Sequence, residues 1–211
     1  MGAGVMVGFP WSGKKIRLVS MSPRRRELLS QVGIEAQVWP VAIDEGCRPG
    51  EPAAAYVVRL AREKVNRALD PGVDYALAAD TSVILDETIL GKPADPEQAE
   101  WMLHRLSDQR HQVLTGVALC RLADRRCLDR VVTTDVWFKK LTPAEIKAYV
   151  ATGEPMDKAG AYGIQGVGAF MVRRIEGSFS GVVGLPLMET LAMLSELIHD
   201  AHGDLTGPVF R

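Results

Sequence analysis

The chain has 211 residues, of which 47% are hydrophobic and 24% charged, enough to bury a core as one globular unit with room for two lobes around a cleft. Its formal net charge of -1 excludes a global basic field that would recruit DNA or RNA, so any phosphate binding must be local and suits a small ligand. No apolar run approaches the roughly 18 residues that would suggest a membrane span.

Residues 1–14 are expected to form a loose extension, and residues 201–211 a tail. Met1 to Ser12 are Gly-rich and mildly apolar, without a basic leader, a continuous apolar core or a small-residue cleavage site, and a start nearer Met6 is equally compatible. Ile16 to Val19 then read as a short buried strand. Ser22 is placed to cap a helix, Pro23 suits its first position, and Leu28, Leu29 and Val32 supply its apolar side. The first turn of that helix carries Arg24, Arg25 and Arg26, where the positive end of the helix dipole disfavours cations by roughly 0.3 to 1 kcal/mol each. An anion at the turn would remove the conflict, because free N–H groups, serine hydroxyls and guanidinium forks together cradle phosphate. A solvated basic turn is the alternative.

Ala36 to Val41 read as a second strand running into Asp44-Glu45-Gly46, where the acids either hold a divalent cation or solvate a turn. A helix from about Glu51 to Ala68 places Val57, Leu60, Ala61, Val65 and Ala68 on one face, with Lys64 in its middle. Arg59, Arg62, Glu63, Asn66 and Arg67 fall on the outer, solvated side. An inward lysine needs a partner: a phosphate oxygen, an internal acid, or water reached by snorkelling at the rim.

Tyr75 to Leu85 form a largely buried strand interrupted by Asp80, Thr81 and Ser82. An aspartate there must open into a cleft or meet cations. A turn at Asp86-Glu87 and a short strand at Ile89-Leu90 bring Lys92 back toward Asp80, where an internal salt bridge without chemistry is the plainer reading. Asp95-Pro96 begin a helix, Gln112 to Leu122 and Leu128 to Phe138 make a hairpin, and Thr142-Pro143-Ala144-Glu145 carry a capping box. The glycines of Asp157 to Gly166 indicate close backbone approach, to a ligand or within a structural turn, and Gln165 offers the donor and acceptor that the edge of a pyrimidine base requires. Phe170 to Ile175 and Leu185 to Ile198 close the chain as a strand and a helix.

The odd cysteine count, Cys47, Cys120 and Cys127, predicts reduced thiols in a cytoplasm, with Cys120 and Cys127 facing each other as thiols rather than as a disulfide. His104, His111, His199 and His202 join no Ser/His/Asp order or HExxH pattern and read as surface or capping residues.

The succession SMSPRRRELL, AREK, AADTSVILDETILGKP, GEPMDKAGAYGIQGVG and SGVVGLP resembles the Maf family of nucleoside triphosphate pyrophosphatases from about Lys15 to Ile198. DKAGAYGIQG is similar to the subgroup acting on dTTP and UTP. The resemblance implies an α/β fold of the Maf / inosine triphosphatase kind, with a mixed twisted sheet, flanking helices and two lobes around a central nucleotide-binding cleft. It further implies a cytoplasmic enzyme using Mg or Mn, a nucleoside triphosphate as partner, and no nucleic acid or membrane, and it is compatible with a homodimer. Carried over by motif, Asp80 is the catalytic acid/base, Ser20, Arg24, Arg25, Lys64 and Lys92 surround the phosphates, Glu45 joins Asp80 at the metal, and Arg24, Thr81 and Gln165 hold the specificity positions. Met21 and Gly181 depart from the family, which commonly has a smaller residue and an asparagine there. A nucleotide-binding regulator of septum formation without turnover is the alternative reading.

Overall fold

The computed structural model describes residues 8–201. In chain order it contains β1 (Ile16–Leu18), α1 (Pro23–Gln31), β2 (Gln37–Val38), α2 (Ala53–Asn66), β3 (Tyr75–Leu85), β4 (Thr88–Leu90), α3 (Pro96–Leu106) and β5 (Arg110–Arg121). These are followed by β6 (Arg126–Phe138), α4 (Pro143–Ala151), β7 (Val172–Glu176), α5 (Phe179–Val183) and α6 (Leu187–Ala201). The sheet runs β2-β1-β3-β5-β6-β7, with β4 paired to β3. β1 is parallel to β2 and β3, and the other pairs are antiparallel. This is the expected mixed sheet with flanking helices. Among the described residues no helix is long and apolar enough to cross a membrane.

β3 reads as a nearly continuous apolar run because helices cover both of its faces. Ala76 and Ala78 pack with Ala61, Val65 and Ala68 on the α2 side. Tyr75, Leu77 and Ala79 pack on the other side with Leu28 and Leu29 of α1 and Leu194 and Leu197 of α6. Farther along, Val83 and Leu85 enter a second core with Leu103 of α3, Ile146 of α4 and Phe138 of β6. One strand therefore serves two cores, and these are the two lobes. The helix starts follow local chemistry: Asp95 accepts the Gln98 N–H at 2.7 Å, and Thr142 with Glu145 completes the capping box.

Four expectations change. The second strand shrinks to two exposed residues, because it lies at the sheet edge beside a three-residue β1 and meets Pro40, which cannot donate to a ladder. Cys120 and Cys127 stand directly opposite in the β5–β6 register, with Cα atoms 4.1 Å apart, and are joined as a disulfide rather than left as thiols. Within the expected loose extension, Trp11 packs against the α1/α6 core and its indole donates to Val32 O at 3.0 Å, while residues 1–7 and the tail with His202 lie outside the described residues.

His111 is the fourth. It is buried rather than at the surface, with Nε2 2.7 Å from the Tyr162 hydroxyl and its ring edge-on to Phe138. Burial, only partly opposed by the Asp135 charge, pushes it down from 6.5 to about 4. A folded-state pKa below the unfolded one means that its contribution is complete above pH 6.5 and is lost as pH falls toward about 4. The depressed carboxyl groups of Glu51, Glu145 and Asp124 lose theirs only below their ordinary values of 3.8 to 4.5, so the interval from pH 6.5 to 5 isolates the histidine. Urea unfolding at pH 6.5 and 5 should show a loss of roughly 1–3 kcal/mol in the native chain that is absent in His111→Gln. Equal losses in both proteins would contradict this.

Candidate functional site

The site lies at an interruption in the sheet. β1 pairs with β3 over Tyr75 to Leu77, and β4 pairs with it over Val83 to Leu85. Between them, Ala78 to Ser82 are laddered on the β5 side only, with Asp80 opposite Gly116 and Thr81 opposite Thr115. A cleft of about 710 Å³ opens at this gap, within the range of small-ligand sites. It brings together Ser20, Arg24, Arg25, Glu45, Lys64, Asp80, Thr81, Lys92 and Gln165, all the site residues carried over by motif. Because strand side chains alternate, Asp80 projects toward α2 and Thr81 toward the opposite face, and the missing neighbour lets both reach one cavity.

Lys64 is buried on the inner face of α2, and its Nζ lies 2.6 Å from Asp80 Oδ1 and 2.8 Å from Glu45 Oε1. The internal-acid reading of the inward lysine is therefore correct, with two acids. The alternative reading of an Asp80–Lys92 salt bridge is not what the structure has: Asp80 pairs with Lys64, while Lys92 lines the cleft and its charge acts on Glu45. Burial pushes the Glu45 carboxyl up, but the Lys64 hydrogen bond and the charges of Lys64, Lys92 and Arg25 together outweigh it and hold the group below its usual value.

The loop that carries Glu45 is fastened to α2. The Tyr56 hydroxyl donates to Glu45 O at 2.8 Å, and Arg59 donates to Gly46 O at 2.9 Å while forking onto Glu51 at 2.6 and 2.8 Å. Arg59 is thus a clamp rather than a solvated outer charge. Asp44, the other acid of the pair, accepts the Gly46 N–H at 2.9 Å and shapes the turn.

At the basic turn the three arginines diverge. Arg26 is exposed and is not among the residues lining the cleft. Arg25 donates to Gly184 O at 2.8 Å, Ser20 Oγ at 3.1 Å and Thr81 Oγ1 at 3.3 Å, which leaves two of its five N–H groups for a ligand. Arg24 crosses the cleft to Asp157 at 3.0 Å, and Lys158 holds the other oxygen of that carboxylate at 2.6 Å. Ser22 makes no side-chain cap, contrary to expectation, since its N–H is drawn back to Ser20 Oγ at 3.1 Å. The first-turn N–H groups of α1 therefore have no side-chain acceptor among the described residues.

Sequence reasoning missed Thr115. It is fully buried, and its hydroxyl donates to Gly181 O at 2.8 Å, which obliges Thr81 to be the donor across their 3.0 Å contact. Thr81 is then oriented with its oxygen as an acceptor toward Arg25. A threonine in a strand carries no signal of this, whereas the partner position in SGVVGLP did stand out. The glycines of the late motif approach the protein itself, as the structural-turn reading had it: a Cβ at Gly160 would stand 2.7 Å from the Val83 side chain and one at Gly163 would stand 2.6 Å from Lys158 Cε. Gln165 lines the cleft half-buried, and its side-chain amide has no hydrogen-bond partner among the described residues.

Among known proteins, the family described as "Maf-like protein" matches residues 15–197. A "dTTP/UTP pyrophosphatase" of Anaeromyxobacter sp. (strain Fw109-5) is 53% identical over 196 residues, covering 92% of this chain and 94% of that protein. One of the same description from Escherichia coli O157:H7 is 52% identical over 180 residues, covering 84% and 90%. A solved HAM1 protein from Coxiella burnetii aligns with a TM-score of 0.49 at 16% identity, over 89% of this chain and 99% of that one.

The reach of Lys64 to Asp80 depends on how closely α2 lies on the sheet. Gly116, opposite Asp80, permits it: a Cβ there would stand 2.4 Å from Val57 O and 2.7 Å from Val58 N, both backbone atoms of α2 that cannot yield without moving the helix. Gly116→Ala should therefore destabilise the fold by about 1–3 kcal/mol, read as a lower urea midpoint. An unchanged midpoint would show that α2 adjusts freely.

Proposed function

The chain belongs to the Maf-like protein family, and from that premise we propose that it hydrolyses dTTP and UTP between the α- and β-phosphates, releasing the nucleoside monophosphate and pyrophosphate. The observation that carries the proposal is Lys64 lodged between Asp80 and Glu45 at the floor of a cleft with basic side chains around it and Gln165 on its wall. The names of the relatives, at 52% and 53% identity over most of the chain, support the pair of substrates.

Arg24, Arg25, Lys92 and Ser20, with the uncapped N–H groups of α1, bind the phosphates and offset the charge that develops as the bridging bond breaks. Asp80 orients or deprotonates the attacking water, and Lys64 holds that carboxylate in place. Arg24 exchanges Asp157 for a phosphate oxygen when substrate enters. Gln165, with its amide free, meets the base.

The residues present fit a divalent ion. Lys64 Nζ takes one oxygen each of Glu45 and Asp80, and the second oxygens of these two carboxylates, completed by phosphate and water oxygens, would suit Mg or Mn. Among the described residues no group of three or more His, Cys, Asp or Glu could hold a metal without such completion. Bound there, the ion would neutralise phosphate charge and activate water. The proposal takes free nucleotides rather than nucleic acid as partners, and the cytoplasm as the compartment.

Pyrophosphate release across the nucleoside triphosphates, with Mg and with Mn, should be fastest for dTTP and UTP. Tight binding of dTTP with no pyrophosphate formed would sink the proposal and favour a regulator. Asp80→Asn should keep the fold and lower kcat by about 100-fold or more, and turnover at the native rate would remove Asp80 from its role. Gln165→Ala should lower the preference for dTTP over dCTP more than it weakens phosphate binding; an unaltered preference would assign base choice elsewhere.

A further inference from the structure

The local order of the loop that presents Gln165 has a specific origin in two residues outside the cleft's ring of charges. We propose that Glu154 and Tyr149 are positioning residues for base selection, acting through the backbone on either side of Gln165; this rests on the reading of Gln165 as the group that meets the base.

Glu154 follows α4 in a 3-10 turn, Glu154–Asp157, and its carboxylate points back at the loop. Oε1 accepts the Tyr149 hydroxyl at 2.9 Å and the Gly168 N–H at 3.1 Å, and Oε2 accepts the Val167 N–H at 2.9 Å. Three donors converge on one group, so it must be a carboxylate: a protonated acid or an amide would turn a donor toward an N–H. Burial pushes this carboxyl up, but the Gly168 and Val167 N–H groups, the Tyr149 hydroxyl and the Lys158 charge outweigh it and hold it below its usual value.

The single proton of Tyr149 is committed to Glu154, so its oxygen accepts, and it takes the Gly163 N–H at 3.2 Å. The result is one continuous chain from Gly163 N–H through Tyr149 and Glu154 to the N–H groups of Val167 and Gly168. Its two ends bracket Ile164, Gln165 and Gly166, the stretch that carries the free amide. Tyr149 is itself fully buried in the core of the second lobe, so the loop is referred to a rigid element. The backbone has closed tightly on the anchor. Gly166 has φ +92°, and a Cβ on it would stand 2.9 Å from Glu154 Oε2; one on Gly168 would stand 2.4 Å from Gly163 O and 2.7 Å from the Tyr149 hydroxyl.

Discrimination between bases depends on placing one donor and one acceptor within a few tenths of an ångström, and phosphate binding does not pass through this loop. Loosening the anchor should therefore act on base preference and on KM more than on kcat. The test compares Glu154→Gln, which keeps volume but replaces an acceptor, with Tyr149→Phe, which removes only the hydroxyl, and with Gln165→Ala. For each, kcat and KM are measured for dTTP and dCTP, thermal melting checks the fold, and amide hydrogen exchange follows residues 163–168.

Both anchor variants should lower the dTTP-to-dCTP ratio of kcat/KM by threefold or more, chiefly through KM for dTTP, and should speed exchange at Val167 and Gly168. A ratio within threefold of the native value in both, or an equal fall in kcat on both nucleotides, overturns the positioning role. If Gln165→Ala changes the ratio while neither anchor variant does, the anchor fails and the reading of Gln165 stands. An unchanged ratio in Gln165→Ala defeats that reading itself, and with it the role given to the anchor, whatever the exchange rates show.

Discussion

A single ammonium group sets the geometry of the cleft. Lys64 Nζ is within 2.8 Å of carboxylates from two separate segments, one on β3 and one on the loop after β2. Two acids that close would repel each other without a cation, and a lysine on the inner face of a helix would be left uncompensated without acids. Each makes the others tolerable. The arrangement exists only because α2 rests almost directly on β5 at Gly116 and because Tyr56 and Arg59 of the same helix hold the Glu45 loop by its carbonyls. α2 is therefore the element from which the acid side of the cleft is measured.

The opposite wall is organised on a different principle. Around Arg25, neutral groups fix the direction of every donor: Gly184 O, Ser20 Oγ and Thr81 Oγ1 on the guanidinium, and Thr115 with Gly181 O behind Thr81. These bonds point the cation without neutralising it. Arg24 differs, since its partner Asp157 is largely exposed and the pair is solvated on one side. Exposed pairs of this kind are weak, about 0–1 kcal/mol, so a polyphosphate can displace the carboxylate with little penalty. Of two adjacent arginines, one is held in place and the other is held provisionally.

Much of this was legible because it broke local rules. A lysine inside an apolar helical stripe, an aspartate inside a buried strand and arginines in a helix's first turn each demanded a partner, and Lys64, Asp80 and two of the three arginines, Arg24 and Arg25, meet in one cavity. Residues that obey local rules were silent. Thr115 is an ordinary strand residue, and Glu154 after a glycine is an ordinary loop acid; their importance lies in what reaches them from distant segments. Arg59 was assigned outward by helical geometry, which cannot see a loop folding back over that face. Cys120 and Cys127 were expected to face each other and do; what was missed is their oxidation state, because an odd cysteine count argued for reduced thiols. His111 was misplaced because its neighbours Phe138 and Tyr162 arrive from other parts of the chain.

The two lobes are not joined by a linker. β3 passes through both cores without a break, and at Ala78 to Ser82 it is supported along one edge alone. The segment that bears Asp80 and Thr81 therefore belongs to the strand on which both cores are built. The reactive groups and the seam between the lobes are the same few peptide units, so the packing of either core bears on where that carboxylate points.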